Sequence, residues 1–318
     1  MRFRSSNHPD TTSLSSAKHV TVNHVNEAAL WALSACRQGE PSSPRGMPTK
    51  EIFGSSFTLS NPRARVLSIV GRRWNHALAI GELCWHLRQS DDVESLAHYA
   101  HIWRDFADDS LTIRGSCYGK KIFSNSPSRP SRWSIALNLL KDDPDTRRAI
   151  VTVGGFDDDH PELSNDVSCV QSLHFFIRNN KLNIYVHMRS NDAFIGLPYD
   201  VYLLTFFQEL MALELGVELG TYLHFADSLH LYLRDEERAS SIGRLPEKKS
   251  CMPAIIDPAE VWALVEFEEK FRQRGVASKL PISQPWKGMA DTLVAFGGRL
   301  NRGAAERTSA RPASAPPR

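Results

Sequence analysis

Residues 168–216 read SCVQSLHFFIRNNKLNIYVHMRSNDAFIGLPYDVYLLTFFQELMALELG. Two apolar runs, Phe175–Ile177 and Leu182–Met188, flank Asn179-Asn180, a residue pair that favours the positive φ of a tight hairpin turn. Leu203–Leu215 is apolar nearly all round, so it reads as a central, buried helix. A hairpin beside a buried helix predicts an α+β fold with a mainly buried sheet. The hairpin also joins its own ends, which brings Cys169 near Arg189.

Outward from this stretch, Asn26–Cys36 predicts a helix that opens with a cap and an acid, followed by the Pro/Gly/Ser-rich loop QGEPSSPRGMPTKE. Residues 79–89 and 93–107 carry helical apolar spacing. Thr146–Val153 is β-branched, and Thr221–Leu233 begins as a strand. There is no internal repeat or long linker. The expected organisation is a loose segment 1–20, a single catalytic domain 21–301, and a disordered Pro/Ala/Ser/Arg tail 302–318.

The net charge of +2 gives no bulk electrostatic case for nucleic acid or membrane. The five cysteines show no CxxC spacing, which argues against a zinc site or a disulfide framework, and no metal is expected. No apolar run is long enough to span a bilayer, and the N-terminus lacks a signal core, so a cytoplasmic location is expected.

A free cysteine is commonly a core thiol. Beside a guanidinium, however, Cys169 gains thiolate character and becomes a candidate nucleophile. Arg147, Arg148 and Arg189, with the Ser190 hydroxyl, can form an anion cluster, since Arg forks suit phosphate oxygens. An Arg-Arg pair is also a common solvated surface. Glu82, in GELCW, sits between apolar neighbours, which suits a proton-transfer carboxyl better than a solvated one.

The chain resembles the thymidylate synthase family, which includes the deoxycytidylate and cytidylate hydroxymethylases. The resemblance runs from about Arg45 to Tyr232. RSNDAFIGLPYD and DTRRAIV carry most of it, while ELCWHLR, IWRDFAD, CYGK and DSLHLY add an ordered, weaker set. It implies a large mixed sheet packed by helices, in a homodimer joined sheet to sheet. It implies 5,10-methylenetetrahydrofolate as co-substrate and a pyrimidine nucleoside monophosphate as acceptor. Cys169 would add to C6 of the base, with Glu82 and Tyr118 handling protons and water. Arg45, Arg189 and Ser190 would hold the 5′-phosphate, and Arg147 and Arg148 would cross to the partner's phosphate. His230 and Tyr232 would bind the sugar 3′-hydroxyl. Asp192 would bind the pterin, walled by Ile102, Trp103, Gly196 and Tyr199. The chain departs from the synthase pattern at Ser168-Cys169-Val170, where synthases read Pro-Cys-His, at Phe106 in place of a tryptophan, and in an Arg45 loop one residue shorter.

The acid Asp200 ends GLPYD where synthases carry Asn. An amide can donate to uracil O4 and accept from N3–H. Cytosine inverts that edge, and a carboxyl group can accept from its N4 amino group while sharing a proton with N3. Within the resemblance, Asp here marks the hydroxymethylase branch. Asp200 can alternatively cap the following helix. The polar ending SARPASAPPR lacks the apolar character of a synthase tail, which favours capture of water over hydride. The expected activity is 5-hydroxymethylation of dCMP, with CMP open. A divergent dUMP-methylating synthase and an inactive nucleotide- or partner-binding relative are the alternatives.

Overall fold

The computed structural model describes residues 18–107, 109–155, 164–242, 251–275, 281 and 283–309. In chain order the elements are β1 (His19–Val22), α1 (Val25–Arg37), β2 (Glu40–Ser42), β3 (Thr49–Leu59), α2 (His76–Leu87), α3 (Val93–Ala97), α4 (Tyr118–Phe123) and α5 (Arg132–Asp142). They continue as β4 (Ile150–Thr152), β5 (Val170–Arg178), β6 (Lys181–Asp192), α6 (Gly196–Leu215), β7 (Glu218–Tyr232), α7 (Glu236–Ser241), α8 (Glu260–Arg274) and α9 (Trp286–Ser309).

The strands form one mixed sheet in the order β1-β3-β7-β6-β5-β4, with β2 paired to β3. The β5–β6 hairpin turns at Asn179 and Asn180, whose φ values of 51° and 58° suit the side chains that best tolerate that region. β6 and β7 run parallel, so a crossover is required, and α6 supplies it. Leu203–Leu215 is the larger part of α6, which starts earlier, at Gly196. Pro198 in its first turn costs no hydrogen bond, because that N–H has no helical partner. Gly216 ends the helix in the left-handed region, φ 68°. Phe206, Phe207, Leu204 and Met211 are fully buried between the sheet and the outer helices.

The inner sheet face alternates regularly and then changes phase. On β6 the buried residues are Leu182, Ile184, Val186 and Met188, then Asn191; on β7 they are Gly220, Tyr222, His224 and Ala226, then Leu229, His230 and Leu231. A bulge between Val170 and Ser172 interrupts the β5–β6 ladder immediately after Cys169. Bulges bend strands and re-aim side chains, and this one lies next to Cys169.

Several expectations are corrected. The helix expected over 93–107 is broken into α3 and a 3₁₀ turn at His101–Asp105, with Ala100 extended between them. Tertiary docking overrides the periodicity here. Tyr99 donates to Glu268 Oε1 at 2.8 Å, and its ring lies where a Cβ on Gly81 would be. The strand expected over Thr146–Val153 shortens to β4, because Thr146 closes a turn onto Asp143 and accepts from the Arg148 N–H. His24, not Asn26, caps α1, and the Asn26 side chain bridges to Ser68 instead. His19 and Val20 already belong to β1, while residues 1–17 of the expected loose segment lie outside the described residues. At the other end α9 runs through Ser309, past the Arg302 boundary set for the tail, and residues 310–318 lie outside the description. No helix among the described residues is long and apolar enough to cross a membrane.

Candidate active site

Cys169 is half-buried at the mouth of the β5–β6 hairpin. The Arg189 guanidinium is anchored by carbonyls, Nε to Ser168 at 2.8 Å and Nη2 to Val167 at 2.8 Å, which leaves Nη2 3.9 Å from the Cys169 sulfur. Burial pushes the thiol up to about 11, against the pull of Arg189 and, more weakly, Arg45. Arg45 occupies a turn with φ 52° and donates to the Asn165 carbonyl at 3.3 Å. Arg189 therefore reaches the thiol, as the sequence suggested, while Arg45 acts on it only through its charge. They also leave an electropositive place for an anion beside it.

Beneath the thiol lies a support that the sequence reading missed. Ser168 is fully buried, donates to the Gly115 carbonyl at 2.6 Å, and accepts from Lys121 Nζ at 2.9 Å. Asp166 accepts from the Gly115 and Ser116 N–H groups, each at 2.7 Å, and from the Ser116 hydroxyl at 2.5 Å. A serine in the SCV departure thus acts as a brace for the loop that carries the nucleophile. Spacing alone gives no sign of this, because its partners lie on a distant loop.

Parallel pairing sets Ser190 opposite Ser228 and Asp192 opposite His230. Ser190 Oγ lies 3.5 Å from His230 Nδ1, and the His230 and Tyr232 rings meet edge to face at 5.0 Å. Asp192 Oδ1 accepts from the Phe194 and Ile195 N–H groups, so its other oxygen keeps its acceptor capacity. Burial lowers the His230 pKa, opposed by the Asp192 charge.

Glu82 on α2 is buried, and desolvation, reinforced by the Asp200 charge, holds its carboxyl well above the usual range. The Tyr118 hydroxyl is pushed up by burial, with Cys169 and Asp200 adding to the shift. Its ring stacks on His86 at 5.3 Å. The Tyr199 hydroxyl accepts from the Asn75 N–H at 3.2 Å, and Glu82 adds to the burial that raises it. Gly196 opens α6 beside Asn191 and Asp200; a Cβ there would lie 3.6 Å from each of their facing polar atoms.

Asp200 sits one turn inside α6, whose cap position is Ile195. Its carboxyl accepts from Asn191 Nδ2 at 2.6 Å rather than from the helix backbone, which removes the capping role. Burial raises it to about 7, with the Asn191 hydrogen bond pulling down and the Asp192 charge pushing up.

Arg147 and Arg148 are not brought to this cluster. Both are exposed ahead of β4. Ile102 is 52% exposed on the 3₁₀ turn, and Trp103 packs against Trp85 at 6.5 Å. No hydrogen bond joins Trp103 to Asp192 or Tyr199 among the described residues. No group of three or more possible metal ligands occurs among the described residues either.

The thymidylate synthase family model matches residues 19–261. A deoxyuridylate hydroxymethyltransferase of Bacillus phage SP01 is 33% identical over 212 residues, 63% of this chain and 54% of that protein. The alignment therefore spans little more than half of that relative. A thymidylate synthase of Bacillus phage phi3T is 28% identical, covering 58% of this chain and 67% of its own length. One from Bacillus subtilis subsp. natto is 30% identical with the same two coverages. With the matched region running from β1 into α8, and the thiol, Arg189, Glu82 and Asp200 all lying within it, the chain belongs to the thymidylate synthase family.

Proposed function

We propose that the protein transfers a one-carbon unit to C5 of a cytidylate, dCMP ahead of CMP, and completes the reaction with water to give the 5-hydroxymethyl nucleotide. The observation that carries this reading is Asp200, a carboxyl in the site that burial raises to about 7. Near neutral pH it can donate a proton to cytosine N3 and accept from the N4 amino group. Hydroxymethyl rather than methyl rests on the likeness to the phage hydroxymethyltransferase.

Cys169 attacks C6, with Arg189 favouring the thiolate as substrate binds. Negative charge then develops at C5 and on the base edge. Glu82 gives and later removes a proton in the apolar wall next to Asp200. Arg45, Arg189 and Ser190 hold the phosphate, and His230 and Tyr232 the sugar. The residues fit a methylenetetrahydrofolate co-substrate on one observation: Asp192 keeps an acceptor oxygen for pterin N–H groups. Gly196, Tyr199, Ile102 and Trp103 would wall it. When bound, the folate supplies carbon at the oxidation level of formaldehyde.

A homodimer is part of the proposal. Ile150, Tyr185 and Phe225 share the outer sheet face, with Ile150 49% and Tyr185 46% exposed. A second sheet would cover them and bring Arg147 and Arg148 to its phosphate. Mixing Arg148→Ala and Cys169→Ser subunits should restore activity through one competent site per mixed dimer. No recovery after verified subunit exchange counts against the crossing arginines.

The direct test is incubation with methylenetetrahydrofolate and each of dCMP, CMP and dUMP, with the products weighed. Hydroxymethyl-dCMP supports the reading. The SP01 relative's name favours a second reading, hydroxymethylation of dUMP, which the same assay detects. No product from any nucleotide points to an inactive relative.

Asp200→Asn should shift the kcat/KM ratio from dCMP towards dUMP by about 5- to 150-fold, the effect of one base-edge mismatch of about 1–3 kcal/mol. The unaltered protein should lose kcat/KM for dCMP as pH rises through about 7, because the acid form that meets N3 disappears. That limb should be absent in the variant. An unchanged preference and an unchanged limb would remove Asp200 from base recognition.

A further inference from the structure

A neutral carboxylic acid does not by itself tell cytosine from uracil. Its proton can sit on either oxygen, so it can present donor and acceptor in either order. Asp200 is not left with that freedom. Asn191 Nδ2 donates to Asp200 Oδ2 at 2.6 Å. With the amide nitrogen on Asp200, Asn191 Oδ1 faces the other way. There it meets His224 Nε2 at 3.1 Å. With the amide so turned, that nitrogen carries the imidazole proton, which leaves Nδ1 bare to accept from the Tyr222 hydroxyl at 2.8 Å.

The chain of hydrogen bonds is therefore one-directional, from Tyr222 to His224 to Asn191 to Asp200. Every link is rigid. Tyr222 is 0% and His224 1% exposed, and the imidazole stacks on Phe57 at 5.0 Å and 15°. Burial drops the His224 pKa to about 3, so the ring stays neutral with one proton to place. Asn191 itself is buried, and the phase change of β6 turns its side chain inward towards His224.

We infer that Asn191, oriented by His224 and Tyr222, is a specificity-determining positioning residue: it favours Oδ2 of Asp200 as the acceptor and biases the acid proton towards Oδ1. One order of donor and acceptor shown to the base is thereby favoured over the other. This rests on the proposal that Asp200 reads the base edge, extended here to set Oδ2 on the N4 side of cytosine. For uracil the proton would have to move to Oδ2, which as a hydroxyl oxygen accepts from the Asn191 N–H more weakly than a carbonyl oxygen does.

The test is base preference in binding, the ratio of dCMP to dUMP dissociation constants by titration calorimetry, read beside the kcat/KM ratio. In Asn191→Ala both ratios should move towards one by about 5-fold, because the proton becomes free to take either oxygen. His224→Phe keeps the stacking but frees the Asn191 amide to turn over, and should narrow the ratios similarly. His224→Gln restores a donor towards Asn191 and an acceptor towards Tyr222, and should recover the original ratios. Folded variants that weaken both nucleotides equally would make Asn191 purely structural and overturn the inference. An unaltered protein that binds both bases equally would also overturn it. An unaltered protein that prefers dUMP would overturn the cytidylate reading alone, and narrowing in Asn191→Ala would still support the positioning role.

Discussion

Cys169→Ser lowers release of tritium from C5-labelled dCMP by about 10⁴- to 10⁶-fold, the range expected when a covalent nucleophile is removed. The sulfur is the reacting atom, and a hydroxyl has negligible nucleophilicity near neutral pH without a dedicated base. Nucleotide binding should survive within about 10-fold, because Arg189 is held by the Ser168 and Val167 carbonyls and not by the thiol. Calorimetry checks binding, and a release assay checks chemistry. Substantial residual release would take Cys169 out of the mechanism.

Glu82→Gln should lower kcat by about 10²- to 10⁴-fold with little change in nucleotide KM, the expected loss for one general acid/base. Glutamine keeps the shape and much of the hydrogen bonding inside α2 but cannot exchange a proton. Burial holds the Glu82 carboxyl well above its usual range, so the protonated form persists to higher pH than in an exposed Glu. Single-turnover kinetics with C5-tritiated and unlabelled nucleotide separate proton transfer from binding. A variant that raises KM and leaves kcat intact would make Glu82 a binding group only.

The hairpin and the central helix were readable because their signals are local. Asn179-Asn180 states its turn directly, and the apolar run of α6 needs no partner to be recognised. The meeting of Cys169 and Arg189 follows from the hairpin alone. The break after α3 was not readable, since it depends on Tyr99 reaching Glu268 across 169 residues of sequence. The partner of Asp200 was hidden for a related reason. Asn191 stands inside the quoted motif, yet simple alternation along β6 gives no hint that a phase change brings it to His224. The site types were legible, and the hydrogen bonds that orient them were not.

The parallel pairing of β6 with β7 also dictates when the site comes into being. Cys169 and Arg189 are joined through a short hairpin, whose closure is quick and costs little entropy. Asp192 and His230 meet only after the 20 residues of α6 have crossed over and seated on the sheet. Such non-local closure is slow. A refolding chain is therefore expected to set Cys169 beside Arg189 before the sugar side exists. At that stage the cysteine is open to alkylation and nucleotide gives it no shelter. Protection of Cys169 by nucleotide then becomes a clock for the last step of assembly.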